Sequence, residues 1–86
     1  MLERRVVVAI EEGLHARPAA LFVKLATEQP AAVTIRKADG AAVPTSSILS
    51  VMTLGARLGD EVVLATDDDA AGPSLDALAA YLTTAG

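Results

Sequence analysis

Arg5-Val6-Val7-Val8-Ala9-Ile10-Glu11-Glu12-Gly13-Leu14-His15-Ala16-Arg17-Pro18-Ala19 runs from a strand pattern through a polar loop into the start of a helix. Arg5 to Ile10 is short and β-branched, the composition of a first strand. Glu11-Glu12-Gly13 interrupts it, and the loop delivers His15, the only histidine of the chain. From Ala16 to about Glu28 the apolar residues Ala19, Phe22, Val23 and Ala26 recur at i, i+3, i+4 and i+7, which predicts a helix with one buried face. Pro18 suits the first turn, where a helix leaves its N–H groups without intrahelical acceptors. It also biases Arg17 away from the α region, so an irregular backbone is expected at residues 15 to 17.

Outward from that stretch, Val33 and Ile35 alternate with Thr34 and Arg36 as in a half-buried strand. Asp39-Gly40 makes a tight turn, and Ala41 to Val43 return as a third strand, giving a β-hairpin. Ser46-Ser47 precedes an apolar run from Ile48 to Leu54 that Gly55 ends, the pattern of a short capped helix. Glu61 to Thr66 reads as the fourth strand, and the Asp67-Asp68-Asp69 run with Gly72-Pro73 as an acidic loop. The last helix is expected from near Ser74, with Leu75, Leu78, Ala79 and Leu82 on its buried face and Asp76 in its first turn. The order βαββαβα, with one apolar face per helix, predicts an α+β open-faced sandwich in which three helices cover one face of a four-stranded antiparallel sheet.

At 86 residues the chain has the size of a single domain, residues 1–86, with one modest core. Cysteine is absent, which excludes disulfides and thiol chemistry and fits a reducing cytoplasm. With one histidine and no cysteine, only carboxylates remain as metal ligands, and the aspartate run lacks the spaced pattern of a calcium loop; no metal and no cofactor is expected. All seven basic residues lie in positions 1–57, and six of the eleven acidic ones in 58–86. Scattered cations and an aromatic content of 2% argue against a nucleic-acid partner. The longest apolar stretches fall far short of the ~20 residues of a membrane span, so no membrane insertion is expected.

His15 beside a helix N-terminus has definite chemistry. Imidazole titrates near neutrality and offers a neutral nitrogen as a nucleophile toward phosphorus. Arg17 supplies planar, permanently charged donors to phosphoryl oxygens. The backbone N–H groups of Ala16 and Arg17 would point at an anion lying in front of the helix. On the residues alone, a solvated cap and a solvated arginine fit equally well.

Two motifs, in order, lift that balance. Gly13-Leu14-His15-Ala16-Arg17-Pro18-Ala19 resembles the phosphorylation-site signature of the HPr family of the bacterial phosphoenolpyruvate:sugar phosphotransferase system, and Ser47-Ile48-Leu49-Ser50-Val51-Met52-Thr53-Leu54-Gly55 resembles its second-helix signature. The resemblance implies the same sandwich fold and a carrier rather than an enzyme. His15 would accept a phosphoryl group on Nδ1 from phosphorylated enzyme I and pass it to an enzyme IIA, with Arg17 stabilising the charge. It implies a docking surface of Ala20, Lys24, Ile48, Leu49 and Met52, and a monomer that meets its partners in turn. In many relatives a serine kinase modifies the serine that opens the second helix, here Ser47; Pro44 and Ser46 depart from the polar or basic residues common there. Two further functions fit the fold: a carrier of the related nitrogen-regulating branch, and a non-catalytic regulatory binding module. Retention of both His15 and Arg17 argues against the last.

Overall fold

The computed structural model describes residues 1–84. Its elements run β1 (Leu2–Val7), α1 (Ala16–Thr27), β2 (Thr34–Lys37), β3 (Val43–Pro44), α2 (Ile48–Leu54), β4 (Glu61–Thr66) and α3 (Gly72–Thr83). The strands form one antiparallel sheet in the order β1-β4-β2-β3. This is the expected open-faced α+β sandwich: α3 packs against β1 and β4, and α1 packs against α2 and α3.

The order follows from what each strand must bury. β4 is central and contains Val62, Val63 and Leu64, all fully buried. Val62 and Leu64 face the helices together with Val6, Val8 and Ile35. Val63 points to the open face, where its neighbours across the sheet are Arg5 and Arg36; long arginine stems shield such a side chain while their charged heads stay in water. Phe22, Val51, Leu75, Leu78 and Leu82 close the core from the helix side. Removing a side chain of this kind by truncation to alanine costs about 2–5 kcal/mol.

Three boundaries differ from expectation. β1 occupies residues 2–7 rather than 5–10, because its partner β4 ends at Glu61, opposite Val7. Val8 instead donates to Asp60 O at 2.9 Å, and Ala9 to Leu82 O at 2.8 Å. The polar start Glu3-Arg4-Arg5 is tolerated because Glu3 and Arg5 lie on the solvated face and Arg4 pairs with Asp76 at 3.0 Å. β3 is confined to Val43 and Pro44: Ala41 and Ala42 are exposed and have little to bury, whereas Pro44, without an N–H, is acceptable on an edge strand. α3 begins at Gly72, two residues before Ser74, with Pro73 in its first turn, and Asp76 therefore lies beyond that turn.

Candidate functional site

The chain between β1 and α1 is held by a close backbone crossing. Gly13 has φ +74°, and a Cβ there would lie 2.7 Å from Ala56 O and 3.1 Å from the Arg57 Cα. Only glycine permits that approach in that conformation. Leu14 follows, its N–H donating to Ala56 O at 2.9 Å and its side chain fully buried. The turn crossed is braced in its own right. Asp60 Oδ2 accepts the Arg57 N–H at 2.9 Å and lies 3.5 Å from Lys37 Nζ. The Arg57 backbone N–H first, and then the Lys37 charge, hold the Asp60 carboxyl below the ordinary carboxylate range.

With Leu14 anchored, His15 is thrust into solvent. It is the N-cap of α1, with extended backbone at φ −147° and ψ 167°, and among the described residues its imidazole makes no capping hydrogen bond. The ring is free to meet another molecule.

The irregularity expected at residues 15 to 17 falls on Ala16, whose φ is +54°; among the described residues it is the one non-glycine with a positive φ. An L-residue in this region costs about 1–2 kcal/mol. The strain expected at the Arg17-Pro18 junction thus sits one residue earlier, letting the helix begin at Ala16 with Pro18 inside its first turn. The N–H groups of Ala16 and Arg17 open the helix, where no intrahelical acceptor exists.

His15 lines one of two neighbouring clefts that share Glu12. One, of about 380 Å³, lies between Glu11, Glu12 and His15 on one side and Ala56, Arg57 and Leu58 on the other. The second, of about 320 Å³, is bounded by Glu12, Arg17, Pro18, Leu21 and Tyr81. Arg17 and Arg57 are exposed, and among the described residues neither side chain is in an ion pair. Arg57 shares the first cleft with His15, and Arg17 lines the second.

The expected docking residues Ala20, Lys24, Ile48, Leu49 and Met52 are all exposed, and Leu49 keeps 74% of its surface in solvent. Val51 is the buried residue of α2, so the apolar residues Ile48, Leu49 and Met52 exceed what the core takes up. Ser47 caps α2, its Oγ accepting from the Ser50 N–H at 3.2 Å. Sequence reasoning passed over Leu21 and Leu58, which are half-exposed beside the two clefts, and Arg57 and Tyr81. Leu21 was legible, following Ala20 and lying four residues after Arg17; Arg57 and Tyr81 reach the site only through tertiary structure.

Residues 2–84 match the family described as PTS-HPr, PTS HPr component phosphorylation site. The phosphocarrier protein HPr of Streptomyces coelicolor is 53% identical over 79 residues, which cover 92% of this chain and 85% of that protein. The HPr-like protein Crh of Bacillus subtilis is 39% identical over 82 residues, 95% of each chain. Among solved structures, a phosphocarrier protein HPr from Bacillus anthracis str. Ames matches with a TM-score of 0.87 at 41% identity, covering 94% of this chain and 95% of that one. Fold and sequence together define a small α+β phosphocarrier protein. The chain belongs to the HPr family of the phosphotransferase system.

Proposed function

We propose that residues 1–86 act as one HPr-like domain that accepts a phosphoryl group on His15 Nδ1 from phosphorylated enzyme I and donates it to a histidine of a sugar-specific enzyme IIA. The observation that carries this reading is the exposed imidazole at the head of α1, which among the described residues makes no capping hydrogen bond, two residues before an exposed Arg17 that is in no ion pair among them. In the first transfer the Nδ1 lone pair of neutral His15 attacks phosphorus in line with the P–N bond of the phosphohistidine on enzyme I. That bond breaks, and the enzyme I ring, protonated on its other nitrogen, leaves as neutral imidazole. His15 keeps its Nε2 proton as a phosphoimidazolium, and the reverse sequence delivers the group to enzyme IIA. The Arg17 guanidinium and the Ala16 and Arg17 N–H groups stabilise the phosphoryl oxygens. The protein is a carrier rather than an enzyme, since its covalent intermediate is received from one partner and handed to another.

Ala20, Lys24, Ile48, Leu49 and Met52 form the landing surface. A small apolar patch with one or two cations suits complexes that must separate quickly. Ser47 is the position at which a serine kinase would act: a phosphate there would sit well on the α2 dipole yet put negative charge beside Ile48 and Leu49, which opposes acidic partners. Among the described residues no helix is long and apolar enough to cross a membrane, and the cytoplasm, where phosphoenolpyruvate is made, is the proposed location.

Incubation with phosphoenolpyruvate and enzyme I, followed by intact mass measurement, tests the reading. One acid-labile phosphoryl group that disappears in His15→Ala supports it. An unlabelled wild-type protein would instead favour a regulatory binding module.

A further inference from the structure

The strained residue at the site needs something to hold it. Ala16 keeps φ +54° without the exemption a glycine enjoys, and such a conformation persists only when its surroundings over-determine it. Upstream, the buried Leu14 side chain and its N–H bond to Ala56 O fix the backbone. Downstream, the Tyr81 hydroxyl donates to the Pro18 carbonyl at 2.8 Å, across 63 residues of sequence. Pro18 is the third residue of α1, and a carbonyl oxygen has a second lone pair beyond the one its own helix uses. The neighbouring residue of α3, Leu82, accepts the Ala9 N–H at 2.8 Å. Consecutive residues near the end of α3 therefore grip the chain at positions 9 and 18, on either side of His15. The Tyr81 ring is packed tilted against Phe22, centroids 5.9 Å apart, which aims the hydroxyl at Pro18.

We infer that Tyr81 is a positioning residue of the phosphoryl-acceptor site: its hydroxyl holds the first turn of α1 so that Ala16 stays left-handed and the helix N-terminus stays aimed at the group on His15. Burial first, and then the nearby Glu12 carboxylate, raise the pKa of the phenol. The inference rests on the phosphocarrier reading for its kinetic consequence, but the backbone consequence stands independently of it.

Tyr81→Phe tests it, because the ring and its contact with Phe22 remain and only the donor is lost. The expected result is a weakened intraresidue HN–Hα NOE at Ala16, the signature of positive φ, together with a roughly fivefold lower maximal rate of phosphorylation by phosphorylated enzyme I, the size of one lost hydrogen bond. KM for that donor should change less than twofold, since the docking surface is untouched. In an Ala16→Gly background, where positive φ carries little penalty, Tyr81→Phe should leave the rate within about twofold. An Ala16 NOE and a rate both unchanged in Tyr81→Phe would overturn the inference, as would a rate loss of equal size in the Ala16→Gly background. If the wild-type protein is not phosphorylated at all, the carrier reading fails, and the NOE comparison alone decides the role of Tyr81.

Discussion

Replacing Gly13 with alanine should damage the protein through one contact whose cost can be worked out. At φ +74° an alanine pays about 1–2 kcal/mol for the left-handed conformation. Its Cβ would also meet Ala56 O at 2.7 Å and Arg57 Cα at 3.1 Å. Both neighbours are backbone, so no side chain can rotate away. Opening the first contact to about 3.2 Å moves the crossing chains apart by about half an ångström, which stretches the 2.9 Å bond from Leu14 N–H to Ala56 O toward its limit and forfeits about 1 kcal/mol. Against this, alanine restricts the unfolded chain and returns about 0.4–1 kcal/mol. The net expectation is a loss of about 2 kcal/mol in urea denaturation. Gly59→Ala is the internal control: its φ is +89°, but among the described residues nothing lies within 4 Å of the added carbon, so only the strain remains and about 1 kcal/mol is expected. Equal losses in the two variants would refute the argument that the close crossing at Ala56, rather than backbone conformation alone, fixes the histidine loop.

Charge reversal at Lys24 should slow phosphorylation by enzyme I several-fold, with an effect that shrinks as salt is raised and with an unchanged melting temperature; an unchanged rate constant at low salt would remove Lys24 from the docking surface. Ser47→Ala should cost about 1 kcal/mol in denaturant by removing the acceptor for the Ser50 N–H, with phosphorylation of His15 preserved. The depressed Asp60 carboxyl contributes stability that is fully present above its unfolded pKa of about 4 and is lost as pH falls through its lower folded value. Asp60→Asn should therefore lower stability at neutral pH and flatten the decline on acidification below about pH 4. A parallel acid profile in the variant, followed by equilibrium unfolding, would contradict that linkage.

The fold was legible wherever burial imposed a period. Ala19, Phe22 and Ala26 of α1 and Leu75, Leu78 and Leu82 of α3 were readable as buried helix faces and are buried, and Glu61 to Thr66 was readable as a strand. The strand ends were not, because they depend on pairing: β1 stops where β4 gives out, and Arg5 and Glu3 look unlike strand residues until one face of the sheet is known to be wet. At the site, His15 and the Ile48-Leu49-Met52 group were readable from local motifs, and the structure leaves each exposed. The strain was expected in the right segment from the pre-proline restriction on Arg17, but its position at Ala16 is set by anchors on either side, Leu14 under Ala56 and Pro18 under Tyr81. Arg57, Tyr81 and the role of Gly13 are products of long-range approach, and no local pattern encodes them.

In the proposed cycle a phosphoryl group rests on one nitrogen of one side chain and moves on. Long-range proton–nitrogen NMR of the isotope-labelled protein, recorded after phosphorylation by enzyme I and again after adding unphosphorylated enzyme IIA, tests it most directly. The expected result is phosphorus attached to Nδ1 of His15 and the return of the free imidazole pattern as enzyme IIA takes the label. Attachment at Nε2 or at another residue, or a phosphohistidine that enzyme IIA leaves in place, would contradict it.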